Sequence, residues 1–515
     1  MKEMNLSIKN LKPFWFLLIG IATISMTHMS FGVDFFAWFS AVPFLLYLNN
    51  TKGWKSRLLF ITALIIAWSI VVLKIITPPI PFLMIFLFSI PISLFHLPAY
   101  LIWDKFKNHK WSILLFPTIL IIMEWIQYTF TPFASWGAMA YSQSNSLNIM
   151  QFVSIFGMAG LSFLVYWVNI SIAQLITRKK ANLLSLYRPL SMLIFVIIFG
   201  ALRIDMEKSK GVETMTVATV GTTSTVSGLP LPTKESNDKV ISDLLKKTKK
   251  AGEFGAKIVV WNEASFFTLP SNEKEIQNAI KAIAKKQNIS IVVSYVVPIS
   301  ENPFSYENKF VFINENGEIV YSYLKHQPVP GEPAIQGTKP FQTVQVSESR
   351  IGGAICYDYD FPYIAQEFGK LKADIVAVPS SDWRGIDPLH TRMSAFRAIE
   401  QGHSIIRSTR FGLSAIISPY GEMISQSSSF DDNSKVMIAN IQAKGINTIY
   451  SMIGDLFIYL CFGFLIDEFF ETLFLQLAFY EPTPPRRTHQ NAPPSCSNTR
   501  TSQATVSVCD TCRID

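Results

Sequence analysis

The sequence predicts a multi-span α-helical membrane bundle followed by an exported layered domain of α/β or α+β type. Three observations carry this. Long apolar segments with short loops fill residues 13–205; strand-like and helix-like runs alternate over residues 212–450; and Lys and Arg fall at every second loop of the first part. The 515 residues are 49% hydrophobic and only 16% charged, against roughly 25% charged in a soluble domain. Mean hydropathy is +0.28. This excludes a disordered or nucleic-acid-tail protein, which pairs low hydrophobicity with high charge, and argues against an ordinary soluble enzyme.

Seven segments are spanning candidates: 13–30, 33–48, 58–77, 81–103, 112–130, 152–177 and 189–204. A spanning helix needs about 20 mostly apolar residues, so the second and seventh are short. No small-residue cleavage site follows the first segment, which therefore reads as a span rather than a signal peptide. Lys2, Lys9, Lys12, Lys52, Lys55, Arg57, Lys105, Lys107, Lys110, Arg178, Lys179, Lys180 and Arg188 lie on one side, and only Lys74 on the other. Basic residues near helix ends resist translocation. The N-terminus is expected in the cytoplasm and the 212–450 domain outside. A further apolar helix over 453–480 returns the chain, with Arg486 and Arg487 beyond it. Residues 481–515, rich in Pro, Ser and Thr, read as a disordered or atypical tail. The net charge of +8 lies largely in the loops that set topology and does not point to nucleic acid.

In the 212–450 domain, Thr214–Val220, Ala256–Trp261, Ile289–Val297, Lys309–Ile313, Glu318–Tyr323, Arg350–Cys356, Ala373–Pro379, Leu413–Ser418 and Lys435–Ile441 read as strands. Ser236–Lys250, Glu273–Lys286 and Pro388–Gln401 read as helices. Asn316-Gly317 between two strand runs is a hairpin signal. Alternating strands and helices make a layered domain. There is no internal repeat and no phosphate-binding glycine loop.

Of five cysteines, only Cys356 lies in this domain. A lone Cys in an oxidising compartment has no disulfide partner and is either structural or reactive. Cys356 follows Ile351-Gly-Gly-Ala-Ile355, Glu263 ends Val259-Val-Trp-Asn262, and Lys325 ends Val320-Tyr-Ser-Tyr-Leu324. Strand ends converge on one rim in layered folds. A carboxylate there takes a thiol proton, and an ammonium lowers the thiol pKa and stabilises an oxyanion. Each residue alone also reads as structural or solvated. Cys509-Asp-Thr-Cys512 stands in the polar tail without a second pair and reads as unstructured.

The order Glu…Lys…Cys with these flanks resembles the carbon–nitrogen hydrolase (nitrilase) superfamily, and the membrane part narrows the resemblance to the apolipoprotein N-acyltransferase family. The matching stretches are Glu124-Trp125, Gly137, Tyr141-Ser-Gln143, Phe156-Gly157, Gly160-Leu-Ser-Phe163, Trp261-Asn-Glu-Ala-Ser-Phe266, Lys325-His326, Val329-Pro-Gly-Glu332, Cys356-Tyr357, Ser381-Asp-Trp383 and, more weakly, Thr448 through Gly454-Asp455. The resemblance implies an α-β-β-α sandwich with Glu263 as general base, Lys325 as oxyanion-stabilising cation and Cys356 as nucleophile. It also implies supporting or substrate-binding roles for Glu332, Tyr357, Asp358 and Trp383. The implied reaction moves an acyl chain from a phospholipid, through a Cys356 thioester, to the N-terminal amine of the lipid-modified Cys of an apolipoprotein, in a bacterial inner membrane. No metal or organic cofactor is implied.

The chain departs from the family pattern at Asn262 (Pro is usual), Asp358 (Glu), Arg384 (Phe) and Gly221 (Gln), and one residue is missing between Pro330 and Gly331. These departures bear on donor and acceptor preference. Two other readings compete. One is a membrane-anchored amidase or nitrilase in which water resolves the acyl-enzyme; the other is a transporter or receptor that does not require Cys356. Among other residues, Glu124 within an apolar span is either functional or snorkelling to the interface. Trp15, Trp125 and Trp136 suit an interfacial belt, with a lipid-site role as the lesser reading for Trp136, and His390 and His403 read as structural or surface residues.

Overall fold

The computed structural model describes residues 12–177, 184–208, 211–222, 231–431 and 436–478. Lys2, Lys9, Arg178, Lys179, Lys180, Arg486, Arg487, the tail from 481 and its Cys-x-x-Cys lie outside the described residues. The chain forms one compact unit through Leu465 and a second from Ile466.

The first part is helical: α1 (Pro13–Thr27), α2 (Asp34–Ala37), α3 (Val42–Asn50), α4 (Trp54–Leu73), α5 (Met84–Phe106), α6 (Ser112–Phe130), α7 (Leu147–Met150), α8 (Val153–Thr177) and α9 (Leu184–Lys208). Among the described residues, α4, α5, α6, α8 and residues 185–206 of α9 are long and apolar enough to cross a membrane. The apolar segment 33–48 is not one helix: α2 and α3 are separated by four residues, and Pro43 sits in the first turn of α3, where a missing N–H costs nothing. Helix α1 has 15 residues. Gly157 breaks the helical geometry of α8 with φ +64° and ψ −170°.

The second part is two six-stranded sheets. The strands are β1 (Thr214–Val220), β2 (Ile258–Trp261), β3 (Ser290–Glu301), β4 (Phe304–Ile313), β5 (Ile319–Leu324), β6 (Val344–Val346), β7 (Ser349–Gly353), β8 (Ile375–Ala377), β9 (Ser380–Ser381), β10 (Ser404–Arg407), β11 (Thr409–Arg410), β12 (Leu413–Ile417), β13 (Met423–Ser428) and β14 (Val436–Gln442). One sheet runs β14-β1-β2-β3-β4-β5 and the other β13-β12-β10-β8-β7-β6, with β9 and β11 as a separate pair. The Asn316-Gly317 turn joins β4 to β5 as the sequence predicts, and Gly317 takes φ +79°. The short strands β6, β9, β10, β11 and β13 and the helix α12 (Pro362–Lys370) are absent from the sequence expectation, although α12 buries Ile364, Ala365 and Phe368 on one face.

The sheets face one another across a core that includes Val217, Ile258, Val292, Phe310, Ile351, Ile375 and Ile406. Helices α10 (Lys234–Glu253) and α11 (Glu273–Gln287) cover the outer face of the first sheet, burying Ile241, Leu244, Ile280 and Ala284. Helices α12 and α13 (Leu389–Gln401) cover the second. This is the α-β-β-α sandwich that the resemblance implies. Its last layer is not on the surface. Ile364, Phe368, Phe396 and Ile399 of α12 and α13 belong to the same buried cluster as Phe44, Trp68, Phe116 and Leu161 of the bundle. Polar ties cross this junction: Trp383 Nε1 donates to the Ile75 carbonyl (2.7 Å), Ser30 Oγ to the Gly385 carbonyl (2.6 Å) and Gln151 Nε2 to the Tyr420 carbonyl (2.8 Å). After β14 come α14 (Ile449–Ile453) and α15 (Leu456–Ala478).

The break at Gly157 sits against α14. A Cβ on Gly157 would lie 2.4 Å from the ring of Tyr450, which is buried and bonded through its hydroxyl to Asp455 at 2.8 Å. Both the positive φ and the clash oppose a side chain. Gly157→Ala should therefore destabilise the fold by about 1–3 kcal/mol, read as a lower Tm in detergent; an unchanged Tm would show that α8 can straighten without loss.

Candidate active site

The first sheet delivers two charged residues to one end of the sandwich. Glu263 lies two residues past β2 and Lys325 one past β5. Both are almost completely buried, at 4% and 1% exposure. Burying a lone charge costs several kcal/mol, so partners are required. Lys325 Nζ donates to Glu263 Oε1 at 2.8 Å and to Glu332 Oε2 at 2.8 Å. Asn308, on β4, donates through Nδ2 to Glu263 Oε1 (2.8 Å) and to Glu332 Oε1 (2.9 Å). The Val329 N–H (2.9 Å) and the Tyr306 hydroxyl (3.2 Å) complete the hold on Glu332. Burial works against the Lys325 charge, but the two carboxylates keep its pKa well above the ordinary value. Burial likewise opposes the Glu332 charge, and Lys325 with its neighbours holds that carboxyl below its usual range. Two of the three ammonium N–H bonds are thus committed.

The second sheet delivers the thiol. Strand β7 stops at Gly353, and Cys356 opens a 3₁₀ turn, Cys356–Asp360, rather than ending the strand as the sequence suggests. The two glycines allow this approach. A Cβ on Gly352 would meet Phe368 of α12 at 2.5 Å, and one on Gly353 would meet Phe310 of β4 at 2.6 Å, so only a bare backbone fits between these layers. Cys356 itself has φ +49°. Such a conformation costs a non-glycine residue about 1–3 kcal/mol and persists only when its surroundings enforce it. The Cys356 N–H donates to the Pro379 carbonyl (2.8 Å), and Sγ lies 3.5 Å from the Ser381 carbonyl. Burial first, and the Glu263 carboxylate second, push the thiol pKa well up; Lys325 opposes them.

Asp358 is fully buried and clasps the turn: Oδ2 accepts from the Tyr323 hydroxyl (2.7 Å) and the Ile355 N–H (3.0 Å), and Oδ1 from the Gln327 N–H (2.6 Å). Despite its shorter side chain, it reaches three donors. Burial raises its pKa to about 7. Asn262 is also engaged, accepting from the Thr222 N–H (2.8 Å) and donating to the Glu263 carbonyl (2.9 Å). Tyr357 donates through its hydroxyl to the Pro132 carbonyl (2.5 Å), which ties the nucleophile turn to the bundle.

Cys356 and Tyr357 line a cavity of about 290 Å³, and its lining is mainly apolar. Val72, Ile75, Met84 and Phe88 come from α4, α5 and the segment between them; Val329, Pro330 and Trp383 come from the sandwich. Trp136, which the sequence assigns to an interfacial belt, lines this cavity and donates to Asp360 Oδ2 at 2.9 Å. Glu124 neither snorkels nor enters the site. It is buried and accepts from the Met139 N–H (3.0 Å) and the Tyr166 hydroxyl (3.0 Å), holding the turn at 139–143.

The structure therefore brings Glu263, Lys325, Glu332, Cys356, Tyr357 and Asp358 into one region, with Trp383 on the cavity wall. Sequence reasoning missed Asn308 and His390. His390, read as structural or surface, is buried and faces the cavity. Ligand-type atoms of Cys356, Asp382 and His390 lie within 4.8 Å of one another. Both imidazole nitrogens are engaged by carboxylates, and an Arg407 Nη2 lies 2.9 Å from Nδ1. With both ring nitrogens taken up by these partners, the imidazole offers no lone pair, so these residues do not suit a metal ion.

Replacing the buried ammonium tests this electrostatic frame. Lys325→Met leaves two buried carboxylates without the ammonium that bonds both, which should cost about 3–5 kcal/mol. In the wild type, the stability due to Glu332 is present above its ordinary pKa near 4.5 and is lost as pH falls through its lowered value. In Lys325→Met the buried Glu332 carboxyl loses the charge that lowers its pKa and resists ionisation. The deficit in Tm should then be largest at neutral pH and shrink as pH falls toward 4.5, and alkylation of Cys356 by iodoacetamide should slow. A pH-independent deficit would contradict the assignment.

Residues 216–450 match the carbon-nitrogen hydrolase family, and residues 20–171 match the apolipoprotein N-acyltransferase N-terminal domain family. The chain is 28% identical over 405 residues to apolipoprotein N-acyltransferase of Borreliella burgdorferi, covering 69% of this chain and 74% of that one. It is 21% identical over 416 residues to that of Rickettsia prowazekii (74% and 82% covered), and 21% identical over 479 residues to that of Geobacter metallireducens (85% and 91%). The two matches fall in the order bundle then sandwich, as the two halves of the fold do. With its apolar spanning helices and its nitrilase-type sandwich, the chain is a membrane protein of the apolipoprotein N-acyltransferase family.

Proposed function

We propose that this protein is an N-acyltransferase of lipoprotein maturation, taking an acyl chain from a phospholipid and passing it to the N-terminal amine of a lipid-modified cysteine. One observation carries the reading within the family. The thiol of Cys356 opens onto an apolar cavity, part of whose wall is α4 and α5, both long and apolar enough to span a membrane. A small polar amide has no use for such a wall, whereas a lipid chain does. The amidase reading and the receptor reading find no comparable observation.

In this reading Glu263 takes the Cys356 proton, and the thiolate attacks the ester carbonyl carbon. The third N–H of Lys325 faces the negative charge, first on sulfur and then on the carbonyl oxygen. The C–O bond breaks, and Glu263 returns the proton to the leaving alkoxide of the lysophospholipid. The acceptor amine then attacks the thioester and gives its proton to Glu263. The C–S bond breaks, and the thiol is restored with that proton. Glu332 and Asn308 hold Lys325 and Glu263 in register. Asp358 fixes the turn of the nucleophile, Tyr357 contributes to the oxyanion pocket, and Trp383 shapes the acyl cavity. The domain at 212–450 lies outside the cytoplasmic membrane and the N-terminus inside.

Incubation of the reconstituted protein with acyl-labelled phospholipid should give a hydroxylamine-labile adduct that is absent from Cys356→Ala. Transfer of the label to a peptide bearing an N-terminal lipid-modified Cys, in preference to water, establishes the acceptor class. Formation of the same adduct by Cys356→Ala, or its absence from the wild type, would overturn the proposal. For topology, single Cys residues introduced at exposed positions of α10 should react with a membrane-impermeant maleimide on intact spheroplasts. Reaction only after lysis would reverse the orientation.

A further inference from the structure

Two chain segments meet at the thiol, and each ends in an aspartate. The 3₁₀ turn that Cys356 opens closes with Asp360. The segment whose Ser381 carbonyl lies 3.5 Å from Sγ continues into Asp382. A single side chain holds both. His390, in the first turn of α13 and 2% exposed, places Nε2 2.9 Å from Asp360 Oδ1 and Nδ1 2.7 Å from Asp382 Oδ1. Arg407 of β10 reaches the same Asp382 oxygen at 3.2 Å, and Trp136 of the bundle donates to the other oxygen of Asp360. The Trp136 ring lies 5.5 Å from the imidazole, centroid to centroid. The charged and titratable groups facing His390 are thus Asp360, Asp382, Arg407 and Cys356.

We propose that His390 is a positioning residue for acyl transfer: its imidazolium staples the turn bearing Cys356 to the segment bearing the carbonyl that receives the thiol, and so sets where sulfur stands relative to the acyl cavity. This rests on the acyltransferase reading. Both imidazole nitrogens are engaged, Nε2 by Asp360 and Nδ1 by Asp382 with Arg407 Nη2 2.9 Å away, so neither is free to exchange protons with substrate. It acts through the nucleophile's placement. Burial lowers its pKa, but Asp360 above all, and Asp382, raise it to about 9 against the opposing charge of Arg407. The staple is therefore complete at neutral pH and opens in alkali. Loss of it leaves Asp360 tied only to the bundle, through Trp136 and Ser135, and no longer to the Asp382 segment, while the apolar walls that receive the lipid chain stay in place.

The test is single-turnover acylation of full-length protein in nanodiscs containing labelled phospholipid. In His390→Gln the maximal acylation rate should fall by roughly tenfold to a hundredfold, the range that a misplacement of about 1 Å produces, with the lipid concentration at half-maximal rate unchanged. Wild-type rate should decline as pH rises through about 9, and this decline should be missing from His390→Gln. The double variant Asp360→Asn/His390→Gln, which pairs two amides and buries no lone carboxylate, should recover part of the rate; it also serves as the test pair if the single variant fails to fold. Wild-type rate in His390→Gln, a loss confined to lipid affinity, or persistence of the alkaline decline in both variants would overturn the inference. Absence of any adduct from the wild type would overturn the acyltransferase reading with it; an adduct indifferent to His390 would overturn this inference alone.

Discussion

A buried ammonium between two carboxylates organises this molecule's chemistry. Lys325 comes from the end of one strand, Glu263 from another and Glu332 from the loop that follows, and none of them tolerates burial alone. The ion cluster brings these two strand ends and the loop after β5 together, and Asn308 bridges both acids. Such a cluster adds little net stability compared with an apolar core. What it supplies is a fixed field beside the thiol, oriented before any substrate arrives, where charge develops during acyl transfer.

The opposite half of the site follows a different rule. Cys356 is held by backbone geometry: a positive φ, two preceding glycines pressed between Phe368 and Phe310, and a carboxylate cap from Asp358. Rigid scaffolding on both sides holds a deeply buried thiol opposite a preformed carboxylate and ammonium. The bundle adds the third side. Tyr357, Trp383 and Asp360 are each bonded to backbone or side chains of the helical part, so the apolar cavity and the nucleophile share one rigid frame.

Much of this was legible in sequence, for identifiable reasons. The apolar helices announce themselves by length, the hairpin by Asn316-Gly317, and the catalytic candidates by polar residues at the ends of apolar strand runs. Strand β7 shows the limit: its apolar run continues through Ile355, so Cys356 looked like a strand residue, whereas the glycines end the pairing three residues earlier. The segment 33–48 shows another: its composition satisfies a spanning helix, but the chain turns between α2 and α3. Asn308 and His390 were missed because neither lies at the end of an apolar strand run. Asn308 sits in mid-strand and His390 at a helix start, and only the tertiary fold turns them toward the site. Asp358 shows the converse. Its short side chain was an apparent mismatch, yet three donors converge on it.

The second helical layer of the sandwich, α12 and α13, has its outer face in the same core as the bundle. That placement gives the chain a natural order of assembly. Synthesis from the N-terminus lays down α1 through α9 before residues 362–401 exist, so the apolar seat for those helices is already available when they emerge. A polypeptide beginning after residue 208 would instead carry that layer exposed, as a sticky surface with no counterpart. The sandwich is thus less a cargo tethered to a membrane anchor than the final course of masonry laid on it, with the bundle as the cover of its last layer.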